Sequence, residues 1–283
     1  ATYGGHLFKW NKANAWIEVA GQFNPNKQAW GLLVYNNELY VGTNDGYLLK
    51  WNGSNAWVQV ASSADDKYIY DMCIFDGHIY AVGHLINWEQ MRYIGELWTW
   101  DGHSSTWSKV SGGLGNEFTM WTLASFNENL YAGTGSNGLL YQWNGTNSWI
   151  QVASQLNSQE QIMDLCVFEG NLYAGTRPGG RLFKWNGSDA WVQVAGNLNY
   201  QLGIDSLAVY NNDLYAGTYA SSGGGLLFRW NGADSFSEIC GEYGSETQIR
   251  TLAVFAGTLY GGTFSGGKLL YYFTTPPSPV ADF

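Results

Sequence analysis

Hydrophobic and polar positions alternate along this chain in short bursts that never settle into a helical period. Residues 206–218, SLAVYNNDLYAGT, set two apolar, strand-forming runs on either side of a two-residue polar break, and counterparts end in LYVGT, IYAVG, LYAGT, LYAGT and LYGGT. This pattern predicts strand, turn, strand. A second pattern follows each: LFKWNKANAW, LLKWNGSNAW, LWTWDGHSSTW, LYQWNGTNSW, LFKWNGSDAW and LFRWNGADSF, with a lone first half, LYYF, ending at Phe273. The first tryptophans, Trp10, Trp51, Trp100, Trp143, Trp185 and Trp230, and then Phe273, lie 41, 49, 43, 42, 45 and 43 residues apart. A period near forty-four residues with four short strands per period predicts a repeat architecture.

We call the four strands a (SLAVY type), b (LYAGT type), c (LFRW type) and d (WVQV type). Asn-Gly between c and d is a strong hairpin signal, because a type I′ turn needs positive φ at both central residues. Asn-Asn, Asp-Gly, Glu-Gly and Ala-Gly hold the same place between a and b. Strand b closes on Gly42, Gly83, Gly133, Gly175, Gly217 or Gly262, where a side chain would obstruct the neighbouring unit or a left-handed backbone is needed. The expected fold class is all-β, a β-propeller of six blades with four antiparallel strands each, and seven blades are the alternative. Residues 1–273 form this single domain. The N-terminal c and d strands and the C-terminal a, b and c strands are expected to share a composite closing blade, with either Leu7–Trp10 or residues 269–273 displaced, which removes an open edge. The tail 274–283, TTPPSPVADF, carries three of the five prolines and does not continue a sheet.

With a glycine closing b and two aromatics six or seven residues apart in c and d (Trp51 with Trp57, Trp100 with Trp107, Trp143 with Trp149, Trp185 with Trp191), the chain resembles the kelch-type propeller repeat. It departs from that pattern in usually having Gly-Thr or Ala-Gly-Thr where kelch has a double glycine. In general look it is also similar to propeller lectins. A shared repeat plan implies the fold and transfers no function.

Composition narrows the function classes. Only 13% of residues are charged, against roughly 25% in an average soluble protein, and 13 basic against 23 acidic residues give a net charge of −10. No basic run offers a grip for nucleic acid or anionic membrane. Apolar runs such as WGLLVY at 30–35 stop far short of the roughly 18–20 residues that cross a bilayer, so no membrane insertion is expected. Low lysine, abundant tryptophan and the sequons at Asn52, Asn144 and Asn186 point to an extracellular or secreted setting. Those sequons sit on c–d turns, where Asn-Gly is wanted for the turn itself.

Aligning strand a on its leucine places Trp30, Tyr70, Trp121, Met163, Asp205 and Arg250 in one column, where the chain enters the inner strand. A core column would not mix tryptophan with aspartate and arginine, so this column is the candidate binding rim of the channel. The second b–c connection, 84–96, lengthens its repeat to 49 residues and offers Trp88, Arg92 and Tyr93 as further ligand contacts. If sites repeat per blade, the d–a loops such as 155–161 and the b–c loops around Asn44, Asn137 and Arg177 are the expected parts. Cys73 and Cys166 share columns with alanine, as does Cys240, and read as buried small residues. His6, His78, His84 and His103 lack metal-ligand spacing, and no nucleophile or phosphate motif occurs; the one candidate acid–base group is His84, Glu89 and Arg92. The expectation is therefore a non-enzymatic lectin without cofactor or metal, binding glycans or glycoproteins multivalently through loops on one face. A kelch-type scaffold for a protein partner on that face is the first alternative, and an enzyme with its active site at the channel mouth the second.

Overall fold

A computed structural model describes residues 7–10, 16–20, 29–54, 56–62, 68–87, 92–112, 114, 119–135, 137–156, 161–196, 198, 201–221, 224–240, 247–263 and 269–272. The N-terminal strands β1 (Leu7–Trp10) and β2 (Trp16–Ala20) pair as a hairpin. The first four-stranded sheet is β3 (Ala29–Tyr35), β4 (Glu38–Thr43), β5 (Leu48–Trp51) and β6 (Trp57–Ala61). The second is β7 (Tyr68–Phe75), β8 (His78–Asn87), β9 (Arg92–Trp100) and β10 (Ser108–Gly112). The third is β11 (Met120–Phe126), β12 (Asn129–Thr134), β13 (Leu140–Trp143) and β14 (Trp149–Ala153), and the fourth β15 (Gln161–Phe168), β16 (Asn171–Arg177), β17 (Leu182–Trp185) and β18 (Trp191–Ala195). The fifth is β19 (Gly203–Tyr210), β20 (Asp213–Tyr219), β21 (Leu227–Trp230) and β22 (Phe236–Cys240), followed by a three-stranded sheet of β23 (Ile249–Phe255), β24 (Thr258–Thr263) and β25 (Leu269–Tyr272).

Each sheet is an antiparallel meander, and its first strand packs against the first strands of the sheets before and after it. That contact also joins β23 to β3, so among the described residues six inner strands close a ring: a β-propeller with five complete four-stranded blades and the β23–β25 sheet in the sixth place. The expected competition for that last blade does not arise. Strand β25 pairs with β24 while β1 lies alongside β25, so both c-type segments find a place next to one another. The tail 274–283 lies outside the described residues.

Blades interlock by a repeated fit of large on small. A Cβ on Gly42, Gly133, Gly175 or Gly217 would come within 2.5–2.6 Å of Cγ2 of Ile69, Ile162, Ile204 or Ile249 in the following blade, so the missing side chain makes room for an isoleucine. On the outer side, strand-c tryptophans meet aromatics of the preceding blade: Trp185 lies 5.3 Å from Tyr131 and 6.4 Å from Phe126, Trp230 lies 5.4 Å from Tyr173, and Trp51 meets Phe255 at 6.1 Å across the ring's closing junction. Edge-to-face pairs of this kind add about 1 kcal/mol each beyond the area they bury.

The turns divide. Between a and b, both central residues have positive φ, as at Asn36 (50°) and Asn37 (59°), which is the expected type I′ geometry. Between c and d the expectation of the same turn is corrected. Trp51 faces Trp57 across a five-residue loop among whose described residues only Gly53 has positive φ, and Asn52 Oδ1 accepts from the amides of Ser54 and Ala56. Asparagine is wanted here as a side-chain cap of its own loop. The 84–96 insertion, read from the sequence as a long b–c connection, is a longer β8–β9 hairpin, with Ile86 opposite Tyr93 and Asn87 opposite Arg92.

Candidate functional site

The column singled out in the sequence has one structural cause. In every inner strand the register to strand b slips at this position: Ala29 and Gly31 face Thr43 and Gly42, leaving Trp30 as an extra residue. Tyr70, Trp121, Met163, Asp205 and Arg250 are left over in the same way. A β-bulge takes a residue out of the ladder and re-aims its side chain. Six bulges at one level of a ring re-aim six side chains of five types, and four of them, Trp30, Tyr70, Trp121 and Arg250, meet.

Tyr70 is stacked between two indoles, 4.5 Å from Trp30 and 4.4 Å from Trp121, and is buried. Both its faces are covered, so it offers no open ring to a ligand. Trp30 and Trp121 are half-buried. The guanidinium of Arg250 lies over both indoles, 5.6 Å from Trp30 and 4.9 Å from Trp121, and so reaches from the sixth inner strand across to the third. Trp121 rests on Gly135, where a Cβ would fall well inside its indole. On the far side, buried Asp205 accepts from Nε (2.6 Å) and Nη2 of Arg177 and from the amide of Gln248. Arg177 in turn lies 4.2 Å over the ring of Tyr219. Met163 is buried.

The aromatic side extends to Tyr68 and His84, which face each other in the β7–β8 ladder and stack at 4.7 Å, with Tyr70 5.0 Å from the imidazole. Burial pulls the His84 pKa down to about 4. Because the folded value lies below the ordinary one of about 6.5, His84 contributes stability that is present above pH 6.5 and is lost as pH falls through 4. Substituting His84→Phe keeps a ring between the tyrosines and removes the titration. The difference in melting temperature between the variant and the wild type should therefore shift in the variant's favour from pH 7 to pH 4; a difference that stays constant over that range would disprove the assignment.

One residue further along each inner strand lies a second ring, which the sequence reading missed: Gly31, Asp71, Thr122, Asp164, Ser206 and Thr251. Four of these accept an amide from the next blade: Leu123 N to Asp71 Oδ2 (2.8 Å), Leu165 N to Thr122 Oγ1 (3.0 Å), Leu207 N to Asp164 Oδ2 (2.6 Å) and Leu32 N to Thr251 Oγ1 (3.3 Å). Asp71 Oδ1 and Asp164 Oδ1 also hold the amides of Met72 and Leu165, both at 2.8 Å. Thr122 Oγ1 sits between the two acids, 2.9 Å from Asp71 Oδ2 and 3.2 Å from Asp164 Oδ1. A hydroxyl has one proton to give. With that proton on Asp71, the contact to Asp164 is attractive when Asp164 is itself protonated and donates to Thr122. Burial pushes both carboxyls up, and the charge of Asp71 pushes Asp164 further. The signal in the sequence was a column without a single apolar side chain beside one that is mixed.

Of the other expected contacts, Trp88 lies outside the described residues, and of Arg92 and Tyr93 only the backbone is described. Glu89 also lies outside them. The Cys73 and Cys166 thiols are free, and desolvation raises their pKa values; both side chains are half-buried where fully buried ones were expected. Among the described residues no group of three or more His, Cys, Asp or Glu side chains is placed to hold a metal ion, and no helix is long and apolar enough to cross a membrane.

No protein family model matches the chain, and no curated protein matches it. Solved structures do. The extracellular domain of the putative hybrid two component system BT4673 from B. thetaiotaomicron is 17% identical with a TM-score of 0.59, over 97% of this chain and 34% of that one, so this chain spans about a third of it. YCF48 bound to D1 peptide is 12% identical with a TM-score of 0.61, over 97% of this chain and 95% of that one. The computationally designed Ika8 protein is 13% identical with a TM-score of 0.53, over 90% and 74%. At these identities the likeness is one of fold, a β-propeller.

Proposed function

We propose that this propeller is a non-enzymatic, extracellular glycan-binding protein whose principal seat is the mouth of the channel. The observation that carries the reading is the bulge ring. It gathers a half-exposed aromatic side, Trp30 and Trp121, and a polar side, Asp205 with Arg177 and Gln248, at one place. A sugar has a matching division, an apolar C–H face and a rim of hydroxyls, and a few fixed polar groups beside an apolar wall are what orient a small ligand. Tyr70 belongs to this reading as the layer that holds the two indoles apart. The half-buried acids Asp71 and Asp164 favour a non-catalytic role, because their oxygens are taken up by backbone amides of their own and neighbouring strands.

Multivalence draws support from the other end of the ring. Two clefts of like construction lie between blades there, one of ≈ 350 Å³ at Tyr35, Glu38, Lys50 and Trp100, the other of ≈ 380 Å³ at Phe168, Asp213, Arg229 and Trp230. Each joins a tryptophan to an acid–base pair, and repeated weak sites on one ring add through avidity.

A glycan array tests the reading. Wild-type protein should bind one coherent glycan class, and Trp30→Ala and Trp121→Ala should each weaken that binding at least tenfold; mutants that bind as well as wild type would move the seat to the inter-blade clefts. A blank array with folded protein would hand the reading to a protein partner on the same face. That second reading is favoured by the concentration of Trp, Tyr and Arg, the side chains that dominate protein interfaces, and by the peptide bound to a propeller of similar fold.

A further inference from the structure

Arg250 stands out among the side chains of the channel mouth because it is buried to nine-tenths and its guanidinium is matched by no hydrogen-bond acceptor among the described residues. Its contacts are the faces of two indoles, which hold the cation in place without using its five N–H donors. Two carboxylates act on it electrostatically, Asp205 and Asp71. Both are committed elsewhere: Asp205 to Arg177 and Gln248, Asp71 to the amides of Met72 and Leu123 and to Thr122. A guanidinium largely withdrawn from water and left without its fork of hydrogen bonds is costly, and the group that satisfies it best is a carboxylate accepting two parallel N–H bonds.

Resting on the glycan reading above, we propose that Arg250 is the receptor for a carboxylate on the ligand, so that the saccharide bound at the channel mouth is an acidic one carrying a hexuronic or sialic acid residue. The two indoles fix the guanidinium between the first and third inner strands, and the sugar ring then lies beside the half-exposed Trp30 and Trp121. The overall charge of −10 opposes acidic ligands at a distance. Recognition therefore depends on this one short-range contact, and the affinity for an acidic sugar falls when its carboxylate is masked.

The test varies the ligand first and the protein second. Intrinsic tryptophan fluorescence is titrated with methyl glucuronide, its methyl ester, methyl glucoside and a sialic acid methyl glycoside. The expected result is binding of one carboxylated sugar at least tenfold tighter than the ester and the glucoside, and the comparison of glucuronide with sialoside identifies which. In Arg250→Gln that preference should fall below twofold, and in Arg250→Lys, which keeps the charge and loses the fork, it should be intermediate; circular dichroism and melting curves establish that each variant is folded. Should either variant fail to fold, the ligand series on the wild-type protein still decides. Equal binding of glucuronide, ester and glucoside would overturn the proposal and leave the glycan reading standing. If no saccharide binds, but a short peptide with a free C-terminal carboxylate binds tenfold better than its amide, the glycan reading falls and the carboxylate seat remains with a peptide as its source. Neither class showing a carboxylate preference would overturn the Arg250 assignment altogether.

Discussion

Replacing Asp164 by alanine should lower the unfolding free energy by about 2 kcal/mol, because the amide of Leu207 loses its acceptor while that of Leu165 keeps only Thr122 Oγ1, and a buried unsatisfied donor costs roughly 1–3 kcal/mol. Asparagine should cost less, about half as much, since its carbonyl still serves one amide while its NH₂ group faces the other. The order alanine, then asparagine, then wild type is read from midpoints of urea unfolding at constant slope. The pH dependence supplies a second check with a definite sign. The folded pKa of Asp164 is raised above the ordinary carboxylate value, so its contribution is fully present below about pH 4 and is lost as pH rises through the raised value. The gap between wild type and Asp164→Asn should therefore narrow from pH 4 to pH 8. A gap that widened with pH would mean that the acid is ionised in the fold and that its contact with Thr122 is built the other way round.

The second large effect is expected at Gly135. Its backbone lies beneath the indole of Trp121, and a methyl group there would also come within 2.6 Å of Thr119 Oγ1, so alanine leaves Trp121 no room in its present place. Overpacking of this kind costs about 1–3 kcal/mol. The consequence for the mouth is larger, because Trp121 is one of the two plates holding Tyr70 and one of the two rings under Arg250. Gly135→Ala should alter the near-ultraviolet circular dichroism and reduce ligand binding as far as Trp121→Ala does. In the Trp121→Ala background the same substitution should cost much less, since the closest clash is with the side chain already removed and only the contact with Thr119 Oγ1 remains. Such a double-mutant cycle isolates the pair, and additive losses would show that Gly135 acts through something other than the indole.

The contrast between what the amino-acid sequence reveals and what it hides follows from the kinds of feature involved. Blades are legible because each is local: Leu-Tyr-x-Gly in strand b, tryptophan in strand c and the left-handed pairs at 36–37 or 211–212 all lie within one repeat, and each has a residue type that its geometry demands. The rim column is legible as a mixture of side chains that no core would tolerate. Its convergence is not, because the extra residue of these bulges is of any type, and because stacking of Trp30 on Tyr70 or of Arg250 on Trp121 joins positions forty or more residues apart. Asn-Gly misleads at 52–53 since asparagine can serve equally as a left-handed residue or as a cap, and only the length of the loop decides between them. The 84–96 insertion is legible only as a long connection. Without clean alternation its pairing shows only in the hydrogen-bond ladder.

The bond from Leu32 N to Thr251 Oγ1 joins residues 219 positions apart, whereas strand partners within a complete blade meet inside about forty-five residues. Two clocks follow from this difference. Hairpins and blades draw on contacts that a short stretch of chain finds quickly, while the last junction waits on the encounter of segments near opposite ends, and contacts of such separation are slow to form. Until then the flanks of the first and last sheets stand open as adhesive surfaces, available to another copy of the chain as readily as to each other. The final stitch thus governs more than shape: it sets how long each new molecule remains vulnerable to association with its neighbours.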